Sequence, residues 1–287
     1  MWTVLVAVVV MLACNVLGGG VVLAWVAASE GSGMLDPDAM SAVARDLGSR
    51  PYALVASFAI TTTANVALAL SCAGLSPVPW RRRLRLTHVG GGWLDVLIAC
   101  VGVLAISTVF EAGATLVLLA DTDPGVLGTL SKAAQAAPVG AYLLLLFFGS
   151  LGAGAGEELF FRGYMQTRFS RRFGPVAAVL VTSTAFGLIH FDKIQSVYAL
   201  AVGLFVGWIA ERSHSIVLPI VAHSVNNFRS FVLARYATAT DEPEPATAAV
   251  VVLLLIATAV LVACIVVLHK RLHPPAPQAE SSSPAAT

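Results

Sequence analysis

The chain is predicted to be all-α, a polytopic transmembrane bundle of about eight membrane-spanning helices. Three observations carry this reading. Of the 287 residues, 57% are hydrophobic and only 11% charged, against about 25% charged in a soluble domain. Mean hydropathy is +0.84, so the polar surface is too small for a soluble fold of this size. The apolar residues form continuous runs instead of alternating ones, which argues against a spanning barrel.

A span needs about 20 mostly apolar residues. The runs that approach this are 3–28, 52–75, 93–120, 138–161, 175–191, 196–210, 216–234 and 248–269. The first is longer than a signal-peptide core of about 7–15 residues and has no basic stretch before it, so it is expected to be retained. The fifth to seventh are short or carry polar groups, which favours tilt, breakage or a place along a cavity. Segment 81–92 reads as a topogenic signal, with a short interfacial helix as the alternative. The tail is rich in Pro, Ser and Ala and is expected to be disordered. These readings divide the chain into N-terminal spans (1–137), a core that holds the polar motifs (138–234), a loop and last span (235–269) and the tail (270–287).

Charge sets the orientation. Arg81, Arg82, Arg83 and Arg85, then Arg168, Arg171 and Arg172, then Lys270 and Arg271 mark the cytoplasmic connections. Segments 29–50 and 235–247 are acidic on balance. The formal net charge of +1 gives no basic field to attract nucleic acid. Cys14, Cys72, Cys100 and Cys264 lie inside apolar runs with no paired spacing, as buried small hydrophobes do.

An ionisable residue inside a membrane span costs several kcal/mol unless paired or hydrated, so each such residue is a functional candidate. Most fall in three short segments: Glu157-Glu158-Leu-Phe-Phe-Arg162, Phe186-Gly-Leu-Ile-His190 and His223-Ser-Val-Asn-Asn227. Glu158 and Arg162 are four apart and can form an ion pair on one helix face. Glu157 points about 100° away and stays available as a base. Phe173-Gly174-Pro175 is a turn, and Glu157 and His190 are equally distant from it. On antiparallel helices both then lie about 25 Å from that turn, at one depth. His223 and Asn227 share a face of the seventh span, about 12–18 Å into it. Glu111 is expected to be paired structurally, Asp95 to face the interface, and Thr61–Thr63 and Asn65 to hydrogen-bond between helices.

Glu-Glu-x-x-x-Arg, Phe-x-x-x-His and His-x-x-x-Asn, in this order on successive membrane helices, resemble the CPBP family of CAAX-processing and bacteriocin-processing membrane proteases. The resemblance covers roughly 138–234. It implies hydrolysis of peptide bonds in membrane-associated proteins or peptides, with water as nucleophile. Glu157 with His190 would activate the water, His223 and Asn227 would stabilise the oxyanion, and Glu158 with Arg162 would support Glu157. A second mechanism uses Glu157, His190 and His223 as ligands of a divalent metal such as zinc, with a water in the open position. The spacing is not that of a His-Glu-x-x-His site, and the two mechanisms stay open. The rival of another class is a non-proteolytic membrane protein, for bacteriocin immunity or scaffolding, that keeps the motif as a structural polar network. Composition and the breadth of the family point to a bacterial plasma membrane. The prenyl endopeptidase branch is expected to take its substrate from the cytosol, whereas the shared depth of Glu157 and His190 lies nearer the outer face. The side of access stays open.

Overall fold

The computed structural model of the chain describes residues 2–33, 36–118, 125–236 and 246–272. The tail from residue 273 and most of the 235–247 connection lie outside the described residues. Among the described residues there is no strand. The helices are α1 (Trp2–Ser29), α2 (Pro37–Arg45), α3 (Pro51–Gly74), α4 (Trp80–Arg83), α5 (Trp93–Leu118), α6 (Gly125–Ala136), α7 (Val139–Phe173), α8 (Pro175–Leu188), α9 (Lys193–Ser213), α10 (Val217–Tyr236) and α11 (Thr247–Arg271). The chain is thus an all-α polytopic bundle.

Six of these helices, α1, α3, α5, α7, α9 and α11, are long and apolar enough to cross a bilayer. The other two expected spans are helices of a different kind. Helix α8 has 14 residues and so reaches about 21 Å, short of a hydrocarbon core of about 30 Å. Helix α10 has 20 residues but carries His223, Asn226, Asn227, Arg229 and Arg235. Both contribute buried polar residues to the interior, Thr182 and Ser183 from α8 and His223 and Asn226 from α10. Segment 81–92 is helical only in the single turn of α4.

Local chemistry explains the boundaries. Pro37, Pro51 and Pro175 occupy first-turn positions, where their missing N–H costs nothing. Asp36 caps α2 by accepting from the Asp38 and Ala39 amides, and Asp192 caps α9 by accepting from the Gln195 amide at 2.8 Å. Gly174, at φ 83°, makes the turn from α7 into α8, a backbone region open to glycine. Lipid explains the large apolar side chains left exposed along α1 and α11, among them Leu17, Val21, Leu255 and Ile256.

The two ends of the bundle are stitched separately. At one end Arg85 pairs with Glu211 at 3.2 Å, the Ser215 hydroxyl donates to the His88 carbonyl at 2.6 Å, Arg212 donates to the His269 carbonyl at 2.6 Å, and Arg271 pairs with Asp95. At the other end Arg50 pairs with Glu30, and Arg235 donates to the Ala137 carbonyl at 2.6 Å. Asp95 is therefore buried in an ion pair. Glu111 is paired too, gripped by Arg229 through two bonds of 2.6 Å. Of the Thr61–Asn65 group, the Thr62 hydroxyl bonds across to the Phe148 carbonyl at 3.4 Å. Asn65 is buried with its Oδ1 unpartnered among the described residues.

Helix α7 positions the site. Its 35 residues include two π-helical segments, Phe147–Gly152 and Leu159–Gln166, on either side of Ala153–Glu158. Such wide turns are rare and cluster at functional sites. Small residues within the first of them and between the two let α10 approach closely. A Cβ on Gly149 would lie 2.3 Å from the Phe231 ring, and one on Gly154 would lie 2.5 Å from the Ser224 hydroxyl and 3.0 Å from its backbone nitrogen.

Candidate active site

The three polar segments converge. Glu158 and Arg162, four apart on α7, are both wholly buried and joined at 2.9 Å. Arg162 also donates to the Gly203 carbonyl of α9 at 3.1 Å and lies 4.7 Å over the Phe186 ring. The sequence expectation for this pair is met. Three separate anchors hold the guanidinium between α7, α8 and α9, where an unpaired charge would be costly.

His223 of α10 stands between the two glutamates. Its Nδ1 is 2.9 Å from Glu158 Oε1 and its Nε2 is 3.6 Å from Glu157 Oε2. The ring is almost fully buried, whereas Glu157 keeps 15% of its side-chain surface. One glutamate is thus locked into the helix packing and the other is accessible, as the 100° offset between successive helix positions requires.

His190 sits just past the end of α8. Its Nδ1 is 2.8 Å from the Phe186 carbonyl. A carbonyl only accepts, so Nδ1 carries the proton and Nε2 is left as the acceptor of the neutral ring. Phe186 packs edge-on against both imidazoles, with ring centroids 5.1 Å from His190 and 5.6 Å from His223. It spaces the two histidines at a fixed separation. Asn227 is half-buried, and its amide donates to the Gly149 carbonyl within the first π segment at 3.4 Å.

Glu157, His190, His223 and Asn227 all line one cavity of about 800 Å³, within the range of ligand pockets. The expected common depth of Glu157 and His190 is realised to this extent: both border the same space. Glu158 and Arg162 lie behind its wall.

Sequence reasoning missed a neighbouring cluster. Asn226, beside Asn227, is buried on the same cavity, and its Oδ1 accepts from the Tyr198 hydroxyl at 2.9 Å and from Ser107. Tyr198 and Ser107 come from α9 and α5. Nothing in their local sequence marks them, since their role depends on which helices meet. A second buried layer was missed too. Gln166 donates to the Gly207 carbonyl at 2.9 Å and to Glu211 at 3.0 Å while accepting from Thr182 at 3.1 Å.

The metal alternative is not assembled here. Among the described residues no three His, Cys, Asp or Glu side chains are grouped to hold a metal ion. Both ring nitrogens of His223 face carboxylates. Glu157, His190 and His223 are thus not grouped as a metal-binding set among the described residues, and no step below runs through a metal.

Against this geometry, residues 139–229 match the family model described as Type II CAAX prenyl endopeptidase Rce1-like. The match covers the three motifs and supports the CPBP, CAAX-protease resemblance and a membrane endopeptidase of that type. No curated protein and no solved structure matches the chain.

Proposed function

We propose that the chain hydrolyses a peptide bond of a membrane-associated protein or peptide, using a water held between Glu157 and His190. The observation that carries this reading is the convergence of Glu157, His190, His223 and Asn227, from α7, the end of α8 and α10, on one cavity. Glu157 is the partly accessible carboxylate and accepts the proton of the water. His190 has its Nδ1 proton committed to the Phe186 carbonyl, which leaves Nε2 to orient the water or take its second hydrogen bond. Attack on the scissile carbonyl then gives a tetrahedral oxyanion. The Asn227 amide is its donor, joined by His223 Nε2–H in the imidazolium form, the form that donates from both ring nitrogens when Nδ1 is committed to Glu158; each donor is worth about 2.7–4 kcal/mol of transition-state stabilisation. Glu158, bonded to His223 Nδ1, holds that imidazole with its Nε2 edge toward the cavity. Arg162 keeps Glu158 in place. Protonated Glu157 then returns the proton to the leaving amine.

The test is cleavage by the purified full chain, in nanodiscs, of a library of membrane-proximal peptides that includes prenylated ones. Wild type is compared with Glu157→Ala and His190→Ala, each with and without a chelator. Loss of a general base is worth about 10²–10⁴ in rate, so both variants are expected to lose cleavage by at least that much while keeping wild-type melting behaviour. Equal cleavage by all three proteins would remove the assignment and leave the polar network a structural role. Loss on chelation would bring back the metal alternative.

A further inference from the structure

The depth of the site raises the question of which side of the membrane feeds it, and the two ends of the bundle answer differently. At the end stitched by Arg85–Glu211, the connections and helix ends carry ten of the seventeen Lys and Arg residues and two acids, Asp95 and Glu211. At the opposite end the described residues include five Lys and Arg, half as many, and five acids. Excess Lys and Arg in short connections marks the cytoplasmic side.

The cavity belongs to the end poorer in Lys and Arg. From Glu157, His190 and His223 its lining runs past Phe191 and Asp192 to Arg45, Leu47 and Thr129, on α2, α6 and the turns beside them. No residue of the arginine-rich connections lines it. The way to the basic end is filled. Residues 160–167 of α7 are buried one after another, and around them Leu84 and Ile216 are wholly buried. A Cβ on Gly163 would come within 3.2 Å of Leu84 and 3.3 Å of Ile216, so α7 is tightly packed at that level. The Gln166, Thr182 and Glu211 bonds close the layer beneath.

We propose that the cavity is reached from the non-cytoplasmic side of the membrane, so that its substrate is a peptide segment presented at that surface. This deepens the proteolytic reading and rests on it for the word substrate, but the path itself is a matter of charge and packing. Buried Arg162 and the residue-filled segment after it act as the floor of the site. Helices α2 and α6 form its rim.

Cysteine accessibility tests the path without relying on activity. In a background lacking Cys14, Cys72, Cys100 and Cys264, single substitutions Ala44→Cys at the rim, Ala153→Cys one helical turn from Glu157 and Arg172→Cys at the opposite end are exposed to a charged, membrane-impermeant maleimide. Ala44→Cys and Ala153→Cys are expected to react in sealed cells, the latter more slowly. Arg172→Cys is expected to react only after permeabilisation. The reverse pattern would overturn the orientation. Reaction at Ala44→Cys alone, with Ala153→Cys silent in sealed cells, would overturn the open path. A cleavable peptide added to right-side-out and to inside-out vesicles separates the two readings. Labelling as expected with cleavage in neither preparation upholds the path and removes proteolysis. Cleavage confined to inside-out vesicles keeps proteolysis and overturns the path.

Discussion

Substituting Arg162 by Met probes the floor of the site. The guanidinium is wholly buried and has three anchors: Glu158 at 2.9 Å, the Gly203 carbonyl at 3.1 Å and the Phe186 ring at 4.7 Å. Methionine keeps much of the volume and removes the charge. Glu158 is then left as a buried carboxylate whose remaining partner is His223 Nδ1. Removing one member of a buried pair typically costs 3–5 kcal/mol, because the other charge is stranded, whereas replacing both by apolar groups is often neutral. The pair is also not fully satisfied among the described residues, since Glu158 Oε2 and Arg162 Nε have no hydrogen-bond partner. Arg162→Met should therefore lower the melting temperature by about 6–20 °C, and Glu158→Leu with Arg162→Met should recover most of that. Cleavage should not recover, because the double variant deprives His223 of the bond that orients it. Thermal melts in detergent, read by intrinsic fluorescence beside the peptide assay, check both halves. A single variant that melts with wild type would refute the stranded-charge argument. A double variant as unstable as the single one would show that the network's shape, and not its charge balance, sets stability.

Two further predictions concern packing and pH. Gly154→Val would drive a side chain into Ser224 of α10, whose backbone nitrogen is 3.0 Å from the added Cβ. Overpacking of this kind costs about 1–3 kcal/mol, so α7 and α10 should part, with a lower melting temperature and slower cleavage; wild-type values for both would refute close helix contact at that level. His214, left-handed at φ 51° between α9 and α10, has its pKa held below the usual histidine value by burial first and then by the Arg85 guanidinium, against the pull of Glu211. The fold thus favours the neutral ring, a contribution complete above about pH 6.5 and lost as pH falls through the lowered folded value. Melting temperature should drop between pH 7.5 and 5.5 by more in wild type than in His214→Asn, since asparagine tolerates the left-handed backbone; identical pH dependence in the two proteins would remove His214 as the cause.

Much of this protein was legible before any coordinates. Composition and unbroken apolar runs determined an all-α membrane bundle, because a bilayer tolerates only backbone whose hydrogen bonds close within the segment. Helical spacing determined that Glu158 takes Arg162 and leaves Glu157 aside, a consequence of 100° per residue that needs no tertiary information. The turn at Gly174 likewise led to the expectation that Glu157 and His190 meet, and both border one cavity. What spacing along one chain does not contain is which helices touch. The Asn226–Tyr198–Ser107 cluster joins α10, α9 and α5 across 91 and 28 residues of sequence separation, and only packing brings it together. The two π segments of α7 were invisible for a related reason: they sit where other helices pack, α10 and α3 against the first and α3, α8 and α9 against the second. The sequence already marked these runs as short or polar; the structure set their limits, ending α8 at Leu188 and extending the sixth run to Lys193–Ser213, so that α9 joins the long apolar helices and α8 and α10 do not. Tertiary structure also decided the shape of the cavity, open along α2 and α6 and closed by the buried run 160–167, because an opening is a property of the space between helices and no single helix encodes it.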